Sequence, residues 1–175
     1  MREEEMVRRG WVKSIICLLT ISGLAMGSSI ALADIGRWQT SRGAGGGGEA
    51  SLLSNNTLST GNRSIEYHPR LTIGCLPSGW KQSVRLRDSL SGTGNVQLTV
   101  RVDGSQTSEI WRLGSRNSSL NLEGGNGVAR LLGAKRLRLS WNNGFFSGTG
   151  EAVFSLAGIG EIVAQLAAIC GIDPP

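Results

Sequence analysis

Hydrophobic and polar residues alternate along most of the chain after residue 70, with the period of two that is typical of half-buried β-strands. Several short segments follow this pattern and are predicted to be strands, with these residues facing inward: Leu71, Ile73 and Cys75; Val84 and Leu86; Val96, Leu98, Val100 and Val102; Trp111 and Leu113; Leu137, Leu139 and Trp141; Ala152, Phe154 and Leu156. Asp103-Gly104 predicts a two-residue hairpin turn between two of them.

Two segments follow the helical period instead. Val128, Leu131 and Leu132 have the spacing of a short helix that Gly133 would end. Before Gly171, one helical stripe is predicted to contain Ile159, Ile162, Val163, Leu166, Ile169 and Cys170. Strands followed by a helix, without β-α-β alternation, predict a mainly β (α+β) fold. We expect an antiparallel sheet or sandwich with a short helix and a C-terminal amphipathic helix.

The pattern is weaker before residue 71. A glycine run at residues 43–48 predicts a loop between a short first strand and a segment at residues 50–53, and residues 55–63 are polar and turn-like. The glycine run lacks a Gly-Lys-Ser/Thr ending, which excludes a phosphate-binding loop of the P-loop type.

Residues 1–33 have the pattern of an export signal. Arg8, Arg9 and Lys13 precede an apolar run that ends in the small-x-small sequence at residues 31–33. We expect cleavage after Ala33, which leaves one exported domain at residues 34–175. A start at Met6 instead of Met1 gives a cleaner signal, and an uncleaved membrane anchor is the alternative.

The cysteine count changes once the leader is removed. Cys17 is discarded with it, and Cys75 and Cys170 remain. Cys75 ends the inner face of a predicted strand and Cys170 ends the helical stripe, so both sulfurs face the same core. Two thiols in an exported domain predict one structural disulfide, whereas two reduced thiols would require a reducing compartment.

The chain is basic, with 18 Lys and Arg against 13 Asp and Glu. Basic residues occupy outward positions of several predicted strands, which fits either a solvated outer sheet face or a surface for an anionic envelope component or an acidic protein. The side chains of Arg101 and Asp103 project from the same strand face beside the hairpin turn. They form either an ion pair that stabilises the turn or a contact with a partner. Arg136 and Arg138 are the other candidate partner-contact residues.

Residues with catalytic or metal-binding potential are scarce. His68 is the single histidine and precedes Pro69, which favours a residue of a strand-entry loop over a catalytic base. A zinc site lacks clustered Cys and His ligands. No pair of carboxylates stands out as an acid and a base. We therefore expect a protein that is not an enzyme, with no cofactor, no metal and no nucleic-acid partner.

The order of motifs along the chain resembles the VasI or TagO family, periplasmic accessory proteins of bacterial type VI secretion systems. The similar segments are residues 36–38, 68–75, 96–104, 128–141 and 152–170, together with Trp111. The resemblance implies a periplasmic accessory protein that acts through contacts with an envelope protein or a secretion-apparatus component, and it places both cysteines where that family has them. The alternative is a stand-alone envelope-binding module whose basic sheet face binds an anionic ligand: peptidoglycan, a lipid head group or an acidic protein.

Overall fold

The structure, a computed structural model, describes residues 35–43, 47–60, 65–92, 94–123, 125–142 and 148–175. The predicted leader and its cleavage site lie outside these residues. The described chain contains two helices, α1 (Gly125–Ala129) and α2 (Ile159–Cys170). Its strands are β1 (Gln39–Arg42), β2 (Gly48–Leu53), β3 (Leu58–Ser59), β4 (Glu66–Tyr67), β5 (Arg70–Leu76), β6 (Gly79–Arg85), β7 (Asn95–Val102), β8 (Ser105–Leu113), β9 (Ser119–Glu123), β10 (Arg136–Asn142) and β11 (Thr149–Ser155).

Most strands belong to a single sheet with the order β1-β2-β5-β6-β9-β8-β7-β10-β11, while β3 and β4 form a separate two-stranded ribbon. Every neighbouring pair in the large sheet is antiparallel. The predicted fold class, a mainly antiparallel β protein with a short and a C-terminal helix, is confirmed.

The inner face of the sheet forms the core, as the alternating pattern predicts. α2 packs on β2 and β5, and α1 packs on β6. Val96 and Val102, which the pattern places inside, are only partly buried at the two ends of β7. The largest fully buried side chains come from several strands, from α2 and from the residues that follow α1 and β11: Trp111, Phe154, Leu52, Leu71, Ile73, Leu98, Leu120, Leu131, Leu137, Leu139, Leu156 and Leu166.

A disulfide joins Cys75 on β5 to Cys170 at the end of α2, with 6.1 Å between the two Cα atoms. The helix can approach the sheet this closely because Gly48 has no side chain. A β-carbon at that position would lie 2.8 Å from Cδ2 of Leu166. The predicted disulfide is therefore present, and it fixes the C-terminal end of α2 on the inner face of the sheet.

The two helices differ in detail from the prediction. α1 begins and ends before the predicted position, so buried Leu131 lies in the turn after it and Leu132 is 37% exposed. In α2 the prediction is wrong at Ile169, which is 54% exposed. The stripe that faces the sheet contains Ala167 instead, because the spacing i, i+4, i+7, i+8 from Ile159 defines the buried side.

Two asparagines after β2 close the β11 edge of the sheet. The backbone N–H of Asn55 donates to the carbonyl oxygen of Val153 (2.6 Å), and the Asn56 side-chain Oδ1 accepts from the Val153 N–H (2.8 Å). Asn56 Nδ2 also donates to the carbonyl oxygen of Glu151 (2.8 Å). The backbone of Asn55 and the side chain of Asn56 thus take the place of a neighbouring strand. The chain after β2 therefore lies beside the free edge of β11.

Candidate anion-binding groove

The four candidate partner-contact residues lie together on the outer face of β7 and β10. Arg101 on β7 is directly opposite Arg138 on β10. Asp103 follows β7 in the hairpin turn, where its backbone N–H donates to the carbonyl oxygen of Arg136 over 3.1 Å. Strand pairing thus brings Asp103 next to Arg136, which is 33 residues later in the chain.

The hairpin turn gives Asp103 its orientation. Asp103 and Gly104 have φ angles of 48° and 113°, and such positive values allow a two-residue turn to match the twist of the flanking strands. The Asp103 carboxylate then accepts hydrogen bonds from the backbone N–H groups of Lys135 (3.0 Å) and Arg136 (2.8 Å). One side chain therefore ties the β7–β8 turn to the start of β10.

These hydrogen bonds hold the pKa of the Asp103 carboxyl below its ordinary value. The backbone donors at Lys135 and Arg136 have the largest effect, and the positive charges of the same two residues add to it. The interpretation of Arg101 and Asp103 as an ion pair is wrong. The carboxylate is directed toward β10, and Arg101 donates to Oε1 of Gln106 on β8 instead (2.6 Å).

An open groove of about 780 Å³ lies over this region. Its lining contains four basic side chains and one carboxylate, a formal balance of +3. The lining residues are Asn55, Arg101, Asp103, Gly104, Lys135, Arg136, Arg138 and Ser155. Its volume is within the usual range for small-ligand sites, about 300–1,000 Å³.

The groove keeps a net positive charge. Among the described lining residues the single carboxylate, Asp103, is bonded to backbone amides, and Arg101 is bonded to a neutral amide. Arg138 lies 3.7 Å from Glu151, but both side chains are about 40% exposed, which makes such a pair weak. Within the described ranges, the side chains of Lys135 and Arg136 form no ion pair.

The sequence identified the four charged residues but missed part of the lining. Asn55 reaches the groove only because the chain after β2 closes the β11 edge, where Asn55 Oδ1 accepts from the backbone N–H of Ser155 (3.3 Å). No local pattern in the sequence signals this long-range contact. Lys135, next to Arg136, could have been added from the run of basic residues alone.

A second polar cluster lies on the inner side of β8, away from the groove. The carboxylate of Glu109 forms an ion pair with Arg130 and accepts hydrogen bonds from Trp111 Nε1 (3.0 Å) and Thr107 Oγ1 (3.1 Å). Burial lowers the pKa of the Arg130 guanidinium. Its Nε and Nη2 atoms are buried and have no hydrogen-bond partner in the part of the chain that the structure describes.

Gln82 is the other unusual buried polar residue. It lies on the inner side of β6, is fully buried, and neither atom of its side-chain amide has a hydrogen-bond partner among the described residues. A β-carbon at Gly127 of α1 would lie 3.2 Å from Gln82 Oε1, so the short helix covers the amide directly. Such burial without a partner costs stability.

The described chain offers little for catalysis or metal binding. Nδ1 of His68 donates to the backbone carbonyl oxygen of Ser54 (2.8 Å), which positions the ring at the entry to β5. No group of three or more His, Cys, Asp or Glu residues in the described ranges could hold a metal ion. Neither described helix has the length and apolar character needed to cross a membrane.

Comparison with known proteins finds no matching family model, no similar curated protein and no similar solved structure.

Proposed function

We propose that this protein is a non-enzymatic, exported binding domain that recognises an anionic partner through the groove on β7 and β10. The observation that carries the proposal is the convergence of four basic side chains in one groove whose carboxylate, Asp103, is already bonded to backbone amides. Four positive charges against the one negative charge of Asp103 leave a net attraction for an anion that enters the groove.

An oxidising compartment outside the cytoplasm is the setting that we propose for this binding. The N-terminal residues have the pattern of a cleaved export signal, and a disulfide such as Cys75–Cys170 is typical of exported domains. The anionic partner would then be an envelope component of the periplasm, such as peptidoglycan, a lipid head group or an acidic protein.

A role in type VI secretion is the second candidate function. Two of the segments that resemble the VasI or TagO family, residues 96–104 and 128–141, contribute Arg101, Asp103, Lys135, Arg136 and Arg138 to the groove. In this case the anionic partner is an acidic surface on a component of the secretion apparatus. Secretion genes next to this gene, and loss of secretion on its deletion, would favour this candidate over a stand-alone module.

Co-sedimentation with peptidoglycan and with anionic lipid vesicles tests binding through the groove. The test variant combines Arg136→Ala with Arg138→Ala. The matched control combines Arg70→Ala with Arg85→Ala, a second arginine pair that lies opposite across β5 and β6 and outside the groove. Both variants lose two positive charges.

We expect the unmodified protein and the control to bind at least one of these anionic components, and we expect salt to weaken the binding. The groove variant should lose it. Equal binding by the two variants would show that the overall charge, and not the groove, attracts the partner. Absence of binding to peptidoglycan, vesicles and acidic proteins alike would remove the proposal.

A further inference from the structure

Arg101 and Arg138 place two positive charges on neighbouring strands of the groove. The two residues lie directly opposite each other, where Cβ atoms are about 5 Å apart. Their guanidinium groups extend to opposite sides, because Arg101 is bonded to the neutral Gln106 on β8 and Arg138 is weakly paired with Glu151 on β11. An anion over β7 and β10 would therefore have a guanidinium group on either side.

An opposing arginine pair is not enough to make a site, as the rest of the sheet shows. Arg70 and Arg85 are also directly opposite each other, on β5 and β6, but neither lines the groove. Beside Arg101 and Arg138, in contrast, the groove adds Arg136 and Lys135, together with the amide and hydroxyl groups of Asn55 and Ser155. Of these two pairs, the one on β7 and β10 therefore lies in the groove with further basic residues.

The residue types in the groove match a phosphate better than a carboxylate. A phosphate monoester carries a charge of about −1.5 to −2 at neutral pH and three acceptor oxygens, against a single charge and two oxygens for a carboxylate. Three of the four basic residues are arginines, whose planar guanidinium group can donate two parallel hydrogen bonds to phosphate oxygens. The formal balance of +3 also suits a doubly charged group.

We infer that the groove recognises a phosphate monoester, bound by the guanidinium groups of Arg101 and Arg138. This inference rests on the proposed binding function and narrows its ligand to one chemical class. Arg136 and Lys135 line the same groove and provide further positive charge. The phosphate belongs either to a soluble monoester or to a lipid whose head group is a phosphate monoester, such as phosphatidic acid, and the two share this chemistry.

Thermal unfolding and calorimetric titration with inorganic phosphate, glycerol phosphate and acetate, at constant ionic strength, test the inference. We expect both phosphates to raise the Tm of the unmodified protein and acetate to leave it nearly unchanged. Arg101→Gln and Arg138→Gln should each bind phosphate roughly tenfold or more weakly. Each should keep a Tm close to that of the unmodified protein without phosphate, because Arg101 is bonded to a neutral amide and Arg138 is only weakly paired.

The control variant is Arg85→Gln, which relieves the other arginine pair and leaves the groove intact. It should keep the full response to phosphate, whereas a general stabilising effect of phosphate on proteins would be equal in all variants. A response to phosphate that is the same in Arg101→Gln and Arg85→Gln would therefore overturn the inference.

The dependence of phosphate binding on pH gives an independent test. A phosphate monoester such as glycerol phosphate gains its second charge near pH 6, so its binding should strengthen as the pH rises through that value. The charged groups that face the site are Arg101, Arg136, Arg138, Lys135, Asp103 and Glu151. Binding that does not change across pH 6 would contradict a doubly charged ligand.

Vesicles that contain phosphatidic acid, whose head group is a phosphate monoester, separate the two sources of phosphate. Sedimentation with vesicles that Arg138→Gln abolishes identifies a lipid head group, and binding of glycerol phosphate without sedimentation identifies a soluble ester. If acetate or polyglutamate stabilises the protein as well as phosphate does, the phosphate inference is wrong while the anion-binding function stands. If no anion, polymer or vesicle binds, both proposals are wrong.

Discussion

The carboxylate of Asp103 accepts a 2.8 Å hydrogen bond from the backbone N–H of Arg136, so a turn residue replaces a backbone carbonyl as the partner of a strand amide. The backbone N–H of Asp103 donates back to the carbonyl oxygen of Arg136. This reciprocal contact joins the β7–β8 hairpin to β10 at the point where the groove begins. The geometry of the groove therefore depends on one aspartate that lies in the turn.

Replacement of Asp103 should lower the stability of the protein by an amount that depends on pH. In Asp103→Asn we expect a lower free energy of unfolding at neutral pH, because the charged acceptor for the Lys135 and Arg136 amides is lost. The folded-state pKa of Asp103 is lowered. Its contribution is therefore present above the unfolded value of about 3.9 and disappears as the pH falls through the folded value.

Urea unfolding at neutral and acidic pH measures this effect. The difference between Asp103→Asn and the unmodified protein should shrink steadily as the pH falls. Asp173→Asn, which removes an exposed carboxylate near the C-terminus, is the control and should change little at either pH. A difference for Asp103→Asn that persists unchanged in acid would rule out the charge as the cause.

The two partners of the Glu109–Arg130 ion pair should respond unequally to substitution. Glu109→Gln leaves the buried guanidinium of Arg130 without a countercharge, and we expect a loss of about 2–3 kcal/mol in the free energy of unfolding. Arg130→Met should cost less, because Glu109 keeps its hydrogen bonds from Trp111 and Thr107.

Chemical denaturation of both single variants shows which substitution lowers the free energy of unfolding more. A double variant, Glu109→Gln with Arg130→Met, completes the cycle and gives the coupling free energy. The prediction fails if Arg130→Met is the more destabilised of the two single variants.

Gln82 should be replaceable with a gain in stability. Its buried amide has no hydrogen-bond partner among the described residues, so Gln82→Met removes an unsatisfied polar group and keeps a similar shape. We expect the free energy of unfolding to rise by about 1 kcal/mol. Gln97→Met is the matched control, because Gln97 is exposed and bonded to Ser108 Oγ (2.8 Å), and it should bring no gain. Urea denaturation of the two variants decides between these outcomes.

Loss of the disulfide should have the largest effect on stability. Cys75 and Cys170 are 95 residues apart, and release of a loop of that length costs about 4–5 kcal/mol in the chain-entropy account. Cys75→Ser with Cys170→Ser should therefore unfold at much lower urea. A reducing agent should destabilise the unmodified protein and leave the double variant unchanged. Mass spectrometry that finds two free thiols in protein purified without a reducing agent would contradict the assignment.

The sequence predicted those features of the fold that depend on local pattern. Alternation located β7, β10 and β11, and two cysteines on inward positions located the disulfide, because a residue's face in a strand follows from parity alone. Ile169 shows the limit of the same reasoning in a helix. An apolar residue at the border of the helical stripe can be exposed, and the small Ala167 can be buried, because the position of the sheet determines which side of the helix is covered.

The candidate groove was only partly predictable for a related reason. Arg101 and Arg138 were each recognisable as outward basic residues, but their direct opposition depends on the register between β7 and β10, which lie far apart in sequence. The contribution of Asn55 depends on how far the sheet curves before its last strand meets the chain after β2. Both are properties of the assembled sheet.

The asparagines that cover β11 also limit how copies of this protein could associate. A sheet with two open edges can add neighbours on both sides and grow without end. Here Asn55 and Asn56 occupy one edge, and β1 is the opposite edge, with exposed residues throughout. Two copies that paired strand to strand through their large sheets would therefore meet at β1, and the described part of the large sheet would offer no second edge for a third copy.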